Sequence, residues 1–461
     1  MAHPPLALAA LAAAVLGAAV AGWIRFRRLA AVGAAYKAKV LASLLFVAER
    51  EVDVERAPEV SAEAYRPMRL FRARVDRGTK SVAVSLFGFF ERRAVWRPDL
   101  GAALALRPLP PAPKLPSMPP RGAADRAWPE GEAPAPAASP ALARVLAEAF
   151  AERPGAKTLR RTRAALVAQG GRLLAERYAP GVSPLAPFCG WSMTKSVLGG
   201  ALIGVLVDRG ILRLDQTRLL EEWDAPGDPR AAISLEDLLR MRSGLAFSEV
   251  YSDMGSDVNR MLFAEPDAAG FAASRPLAAP PGTVWKYASG TTNALSLIAR
   301  RALGDERYYA WPREALFGPL GMSSAVLETD AAGTFVGSSY LHASPRDWMR
   351  FGRLFADGGL WGGRRVLSAD WLRFVATPTP QSPNGKYGAH WWRKLSRELG
   401  GETPAAARLP ADAFHALGHE GQCLSAIPSR GLVVLRLGVS VDVSAWDHAA
   451  FLAAVLDAVG G

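Results

Sequence analysis

The sequence predicts a mixed α+β fold, and three observations predict it. Strand-like apolar runs stand at both ends of the segment from about residue 141 to the C-terminus. A run that is apolar on every side follows Ser192 and reads as a buried helix. Helical and irregular polar stretches lie between, segregated from the strands rather than alternating with them. Half of the 461 residues are hydrophobic, so a sizeable core can form.

Four segments follow in order. Residues 1–29 hold Leu6 to Ile24, an uninterrupted run of apolar and small residues closed by Arg25, Arg27 and Arg28. Nineteen residues at about 1.5 Å each nearly cross the hydrocarbon core of a bilayer. Ala19-Val20-Ala21 would suit a signal peptidase, but nothing basic precedes the run except the amino terminus and His3, so an uncleaved anchor is expected. Residues 30–107 read as a small folded region of unassigned role, with helical or mixed apolar patterning over Ala35–Arg50. Ser81–Phe90 reads as one strand, and Arg93–Arg97 as the start of another. Residues 108–140 are dense in proline, which fixes φ and removes donors, so an extended linker is expected to divide the N-terminal region from the rest.

Residues 141–461 form the last segment. It opens on the amphipathic "ALARVLAEAFAE". Two apolar strands follow around Gly170-Gly171, a hairpin signal. The helix after Ser192 ends at Asp208, too short to be a second membrane span. "CLSAIPS" and "GLVVLRLGV" read as strands joined at Arg430-Gly431, and a helix closes the chain from about Ala445 to Val459.

The formal charge is +12, and Arg25–Arg107 carries 17 basic against 9 acidic residues. No aromatic-interleaved nucleic-acid module accompanies this excess, so a membrane surface is the expected partner rather than a nucleic acid. Cys189 and Cys423 cannot build a disulfide framework or a four-ligand zinc site; both lie within four residues of a motif given below and could approach each other, but two buried free thiols are expected. The six histidines show no metal-ligand spacing, so no metal or other cofactor is expected. Nothing in the sequence signals an oligomeric state.

Three motifs carry chemistry. In "GWSMTKS", Ser192 and Lys195 are three apart, on one face of a helix. An amine beside a serine can take its proton, and burial would lower that amine's pKa toward the task. The chain has nine lysines, and this is its only S-x-x-K. The bland alternative is an N-cap serine followed by a solvated lysine. Tyr287-Ala288-Ser289 follows a Pro-Gly turn, 95 residues on, and a phenol there could relay a proton. His419-Glu420-Gly421 stands before a strand, where a glycine would let substrate approach the backbone. The N–H of Gln422 could there complete an oxyanion hole with that of Ser192.

Three such elements in this order resemble the serine β-lactamases and penicillin-binding proteins. "LEDLLRMRSGLAF", "PLGMSSAV" and "KYGAHWW" are similar to the class C β-lactamase and esterase branch, and "YSDMGSDVNRML" with "GHEGQ" to nylon-oligomer (aminohexanoate-oligomer) hydrolases and related carboxylesterases. The resemblance covers roughly Leu142 to Val459. It implies a β-lactamase/transpeptidase-like domain, an antiparallel sheet flanked by helices with an all-helical part beside it.

It also implies an acyl-enzyme on Ser192, with Lys195 and Tyr287 handling the proton in an order left open. His419 and Gly421 would line the opposite wall, and Ser289 would be a lesser polar contact. Histidine stands where the family's third motif has lysine, which favours a small ester or linear amide substrate over a β-lactam. A D-Ala-D-Ala peptidase, a β-lactamase proper, or an idle envelope-peptide-binding protein are the rivals. The positive-inside rule places the arginine side of the anchor in the cytoplasm. Members of the family usually work outside it, and an extracytoplasmic, periplasmic catalytic domain is the expectation.

Overall fold

A computed structural model describes residues 4–460, with side-chain environments from Leu11 onward. The N-terminal helix runs unbroken over Pro4–Phe46, 43 residues, because no proline interrupts it after Pro5. It therefore passes straight through residues 29 and 30. From Leu11 to Arg28 it is exposed all round, while from Ala30 to Val47 it is almost wholly buried. The side chains of Leu6–Ala10, part of the expected span, lie outside the described residues.

The buried half packs on an antiparallel meander of β1 (Phe71–Asp76), β2 (Ser81–Leu86), β3 (Phe89–Arg97) and β4 (Gly101–Leu104). The run Ser81–Phe90 is thus not one strand. Phe87 and Gly88 both take positive φ, +50° and +84°, and turn the chain into a hairpin there.

Residues 108–139 cross the surface without helix or strand. They bind as they go: the Trp128 indole donates to the Arg346 carbonyl at 3.3 Å, and Glu132 pairs with Arg346 and Arg350. After them, β5 (Thr162–Gln169) and β6 (Arg172–Tyr178) turn at Gly170-Gly171. A three-stranded sheet is made of β7 (Phe188–Cys189), β8 (Val326–Leu327) and β9 (Leu341–Ala343). A short hairpin of β10 (Leu360–Trp361) and β11 (Arg364–Arg365) lies apart.

The main sheet has the order β12–β13–β14–β5–β6, all antiparallel, with β12 at Phe414–Gly418, β13 at Gln422–Ile427 and β14 at Leu432–Gly438. The first and last strands of the domain therefore meet, β14 against β5. The helices Pro140–Phe150 and His448–Val459 share one apolar cluster with this sheet, and the helix Pro345–Ala356 packs on β13 and β14. The largest core surrounds the helix that follows Ser192.

The N-terminal region is not divided from residues 141–461 by its linker. Ala34, Leu41 and Val84 belong to the same buried cluster as Trp191, Phe247 and Tyr340. Lys39 forms a buried ion pair with Glu328, whose carboxylate also accepts from Ser43 at 3.1 Å and from the Ala102 N–H at 2.7 Å. Lys39 and His342 hold that carboxylate down at about 2 although burial opposes ionisation. Removing one partner of such a pair strands a buried charge, so the two regions are locked together.

Candidate active site

Ser192 caps the helix that begins at Met193, and the preceding Trp191 holds a left-handed φ of +47°. That sharp turn brings Ser192 to the head of the helix. The Met193 and Thr194 N–H groups close the turn on the carbonyls of Gly190 and Trp191. Among the described residues, the Ser192 N–H has no acceptor. The helix continues through a π-turn at Leu198–Leu202 and ends at Asp208.

Lys195 is 2 % exposed and makes three contacts. Its Nζ lies 2.9 Å from Ser192 Oγ, 2.9 Å from Ser289 Oγ and 3.0 Å from the Ser338 carbonyl oxygen. Burial pushes its pKa down to about 8, against the pull of the Glu249 carboxylate. The Ser338 carbonyl can only accept, and Ser289 gives its own hydrogen to Glu249 Oε1 at 2.5 Å. Both therefore take hydrogens from the amine. A neutral Lys195 has two hydrogens and one lone pair, so the lone pair is left facing Ser192.

Tyr287 precedes the helix Ser289–Leu303 and packs its ring against Trp392 and Tyr387, at 5.3 and 6.0 Å between centroids. Lys195 Nζ stands 5.0 Å from the centre of the Tyr287 ring. Burial and the nearby Glu249 raise the phenol well above its usual range, with the Ser192 hydroxyl opposing them. Tyr287 is accordingly a neutral phenol near pH 7.

His419, Glu420 and Gly421 form the turn between β12 and β13. The His419 ring stacks on Tyr251 at 5.4 Å, meets Trp191 edge-on at 5.6 Å, and bonds through Nε2 to the Tyr65 hydroxyl at 2.7 Å. Burial lowers its pKa to about 4, so it carries no charge near neutrality. Gly421 is required by the fold: its φ is +76°, and a Cβ there would stand 2.7 Å from the buried Arg436 Nη1. Gln422 is also engaged. Its N–H donates to the His419 carbonyl, and its side-chain amide bridges Gly438 at 2.6 and 3.0 Å.

The structure thus gathers Ser192, Lys195, Tyr287 and Ser289 tightly, while His419 packs on Trp191, the residue before Ser192. Gln422 and Gly421 are turned into their own hairpin. Sequence reasoning missed Glu249, whose carboxylate takes both the N–H and the hydroxyl of Ser289, at 2.8 and 2.5 Å. It also missed Tyr65 and the Ser338 carbonyl. None carries a motif; each arrives by a contact distant in sequence. Cys189 and Cys423 are free thiols.

Residues 143–444 match the family model described as Beta-lactamase. The chain belongs to the β-lactamase family. A 6-aminohexanoate-dimer hydrolase of Paenarthrobacter ureafaciens is 28% identical over 258 residues, which span 50% of this chain and 64% of that relative. A penicillin-binding-protein homologue from Caulobacter crescentus is similar in structure, with a TM-score of 0.51 at 19% identity, covering 70% of this chain and 99% of the other. EstCE1, a hydrolase with promiscuous acyltransferase activity, gives a TM-score of 0.53 at 15% identity over 70% and 98% of the two chains. At these identities the two solved structures speak for the fold.

Proposed function

We propose that this β-lactamase-family protein is a membrane-anchored serine hydrolase that cleaves an ester or linear amide through an acyl-enzyme on Ser192. One observation carries the reading: the Lys195 amine, buried and held by Ser289 and Ser338, aims its remaining position at Ser192 Oγ, 2.9 Å away. Neutral Lys195 takes the serine proton as the hydroxyl attacks the carbonyl carbon. Tyr287, neutral and adjacent, passes a proton between lysine and leaving group. Water then repeats the sequence on the acyl-enzyme and frees the acid.

The Ser192 N–H is one oxyanion donor. That of Gln422 joins it only by releasing the His419 carbonyl. Where β-lactamases carry a cationic lysine, this site presents an uncharged histidine shut between Tyr65, Tyr251 and Trp191. A substrate carboxylate finds no charge partner there, which favours neutral esters and amides. The relative's printed substrate, an aminohexanoate dimer, supports the linear-amide bond of this reading but not its neutral charge, because a linear dimer ends in a carboxylate.

The apolar stretch Leu11–Ile24, exposed all round, supports the anchor; the extracytoplasmic side for the catalytic domain follows from the family resemblance, not from this stretch. The test is a substrate panel on the full chain in detergent, since residues 30–107 share a core with the site. Short-chain nitrophenyl esters and a linear aminohexanoate amide should turn over faster than a chromogenic cephalosporin, and Ser192→Ala should abolish all turnover. Cephalosporin turnover exceeding that of the esters and the amide would overturn the substrate reading.

A further inference from the structure

The turn between β2 and β3 exposes aromatic rings where a soluble surface would carry polar groups. Phe87 is 70% and Phe89 68% exposed, and Phe87 holds a left-handed φ that bulky residues avoid. This turn lies beside the N-terminal helix at the end of its apolar stretch. Phe90 meets Trp23 at 5.9 Å and Phe26 at 5.8 Å, and Trp23 meets Phe26 at 5.8 Å. Phe89 continues the patch at 6.3 Å from Phe90. Trp23 and Phe26 are themselves about half exposed, at 58% and 45%.

Basic groups surround this patch. Arg25, Arg27 and Arg28 on the helix and Arg92 on β3 line one groove of about 1030 Å³, whose far side holds Arg260 and the acidic Asp253 and Glu265. Glu265 is paired with Arg260 at 2.9 Å. Among the described residues, the other four arginines form no ion pair, and the buried Nε of Arg92 has no acceptor. Burial first, and then the neighbouring Arg27, disfavours the charge on Arg92, which a bound anion would relieve.

Aromatic rings beside clustered arginines, at the end of an apolar helix, match the chemistry of an anionic bilayer interface. We propose that the β2–β3 turn is a second lipid contact. Phe87 and Phe89 enter the headgroup layer beside the helix, and Arg27, Arg28 and Arg92 hold lipid phosphates. The catalytic domain is then fixed against the membrane at two points rather than tethered at one. This rests on the anchor reading above.

The test uses the full chain as Phe89→Cys, labelled with a polarity-sensitive thiol dye; the unsubstituted chain measures background from Cys189 and Cys423. Position 89 is exposed, so the change leaves the core intact. In phosphatidylcholine vesicles containing phosphatidylglycerol, the dye should emit as in an apolar medium and be quenched by headgroup spin-labelled lipid. Without phosphatidylglycerol both effects should weaken severalfold, and Arg27→Gln/Arg92→Gln should remove that dependence. A dye that stays water-like while the protein pellets with vesicles overturns the second contact and leaves the anchor standing. Apolar emission in detergent together with dimers on sedimentation means a second copy covers the patch, and also overturns it. A chain that fails to pellet defeats the anchor reading and this proposal together.

Discussion

Replacing Glu249 by Gln isolates what sets the base. The carboxylate reaches Lys195 through one hydroxyl, with bonds of 2.9 and 2.5 Å, and it holds the lysine pKa up against burial. At a separation of about 5 Å and an effective dielectric near 20, the charge pair is worth about 3 kcal/mol. Glutamine keeps an oxygen for Ser289 and a dipole in place of the charge, so part of that is retained. A loss of about 1.4 kcal/mol moves the lysine down by about one pH unit, from about 8 to about 7.

The neutral fraction at pH 7 then rises from about one-tenth to about one-half. The assay is kcat/KM for a short-chain ester followed by pH-stat across the acid limb. The wild type should climb tenfold per pH unit below about 8 and level above it, because only the neutral amine accepts the serine proton. The variant should level near pH 7 and exceed the wild type severalfold at pH 6. An acid limb that stays in place or moves upward would refute Lys195 as the base.

Further outcomes test the same account. Lys195→Ala and Tyr287→Phe should each cost on the order of 10²–10⁴ in rate, with the double variant little worse than the worse single one, as measured by acylation kinetics. Glu420 is buried, and burial first, then Glu59, pushes it up to about 8. Its folded pKa is raised, so the stability it contributes is present at acid pH and lost as pH rises through about 8. Glu420→Gln should therefore gain on the wild type in thermal melts from pH 5 to pH 8; a constant difference would contradict it. Gly190→Ala places a Cβ 2.3 Å from the ring of Trp348, which is fully buried. It should cost about 1–3 kcal/mol in denaturant melts and slow acylation by shifting Ser192.

Local spacing determined much of this protein. A spacing of three positions from Ser192 to Lys195 puts both on one helical face, and Gly170-Gly171 and Arg430-Gly431 set two hairpins of the main sheet. The apolar character of the run after Ser192 required its burial, and with it a depressed lysine pKa. Where the local signal was read too simply, the structure differs. Ser81–Phe90 has strand composition throughout, yet its turn at Phe87-Gly88 needs only two positive φ angles, one of them on an unfavoured phenylalanine.

Tertiary structure alone decided what those local pieces do. Glu249 reaches Ser289 across 40 residues, and Tyr65 reaches His419 across 354. Neither pairing follows a helical or strand period, so no pattern in the chain announces it. The dense prolines of residues 108–140 fix an extended path but not its direction. Whether that path separates two bodies or folds one onto the other depends on faces it does not contain. Lys39, Glu328 and the shared apolar cluster made that choice, because a buried charge and an apolar face are satisfied only by a partner.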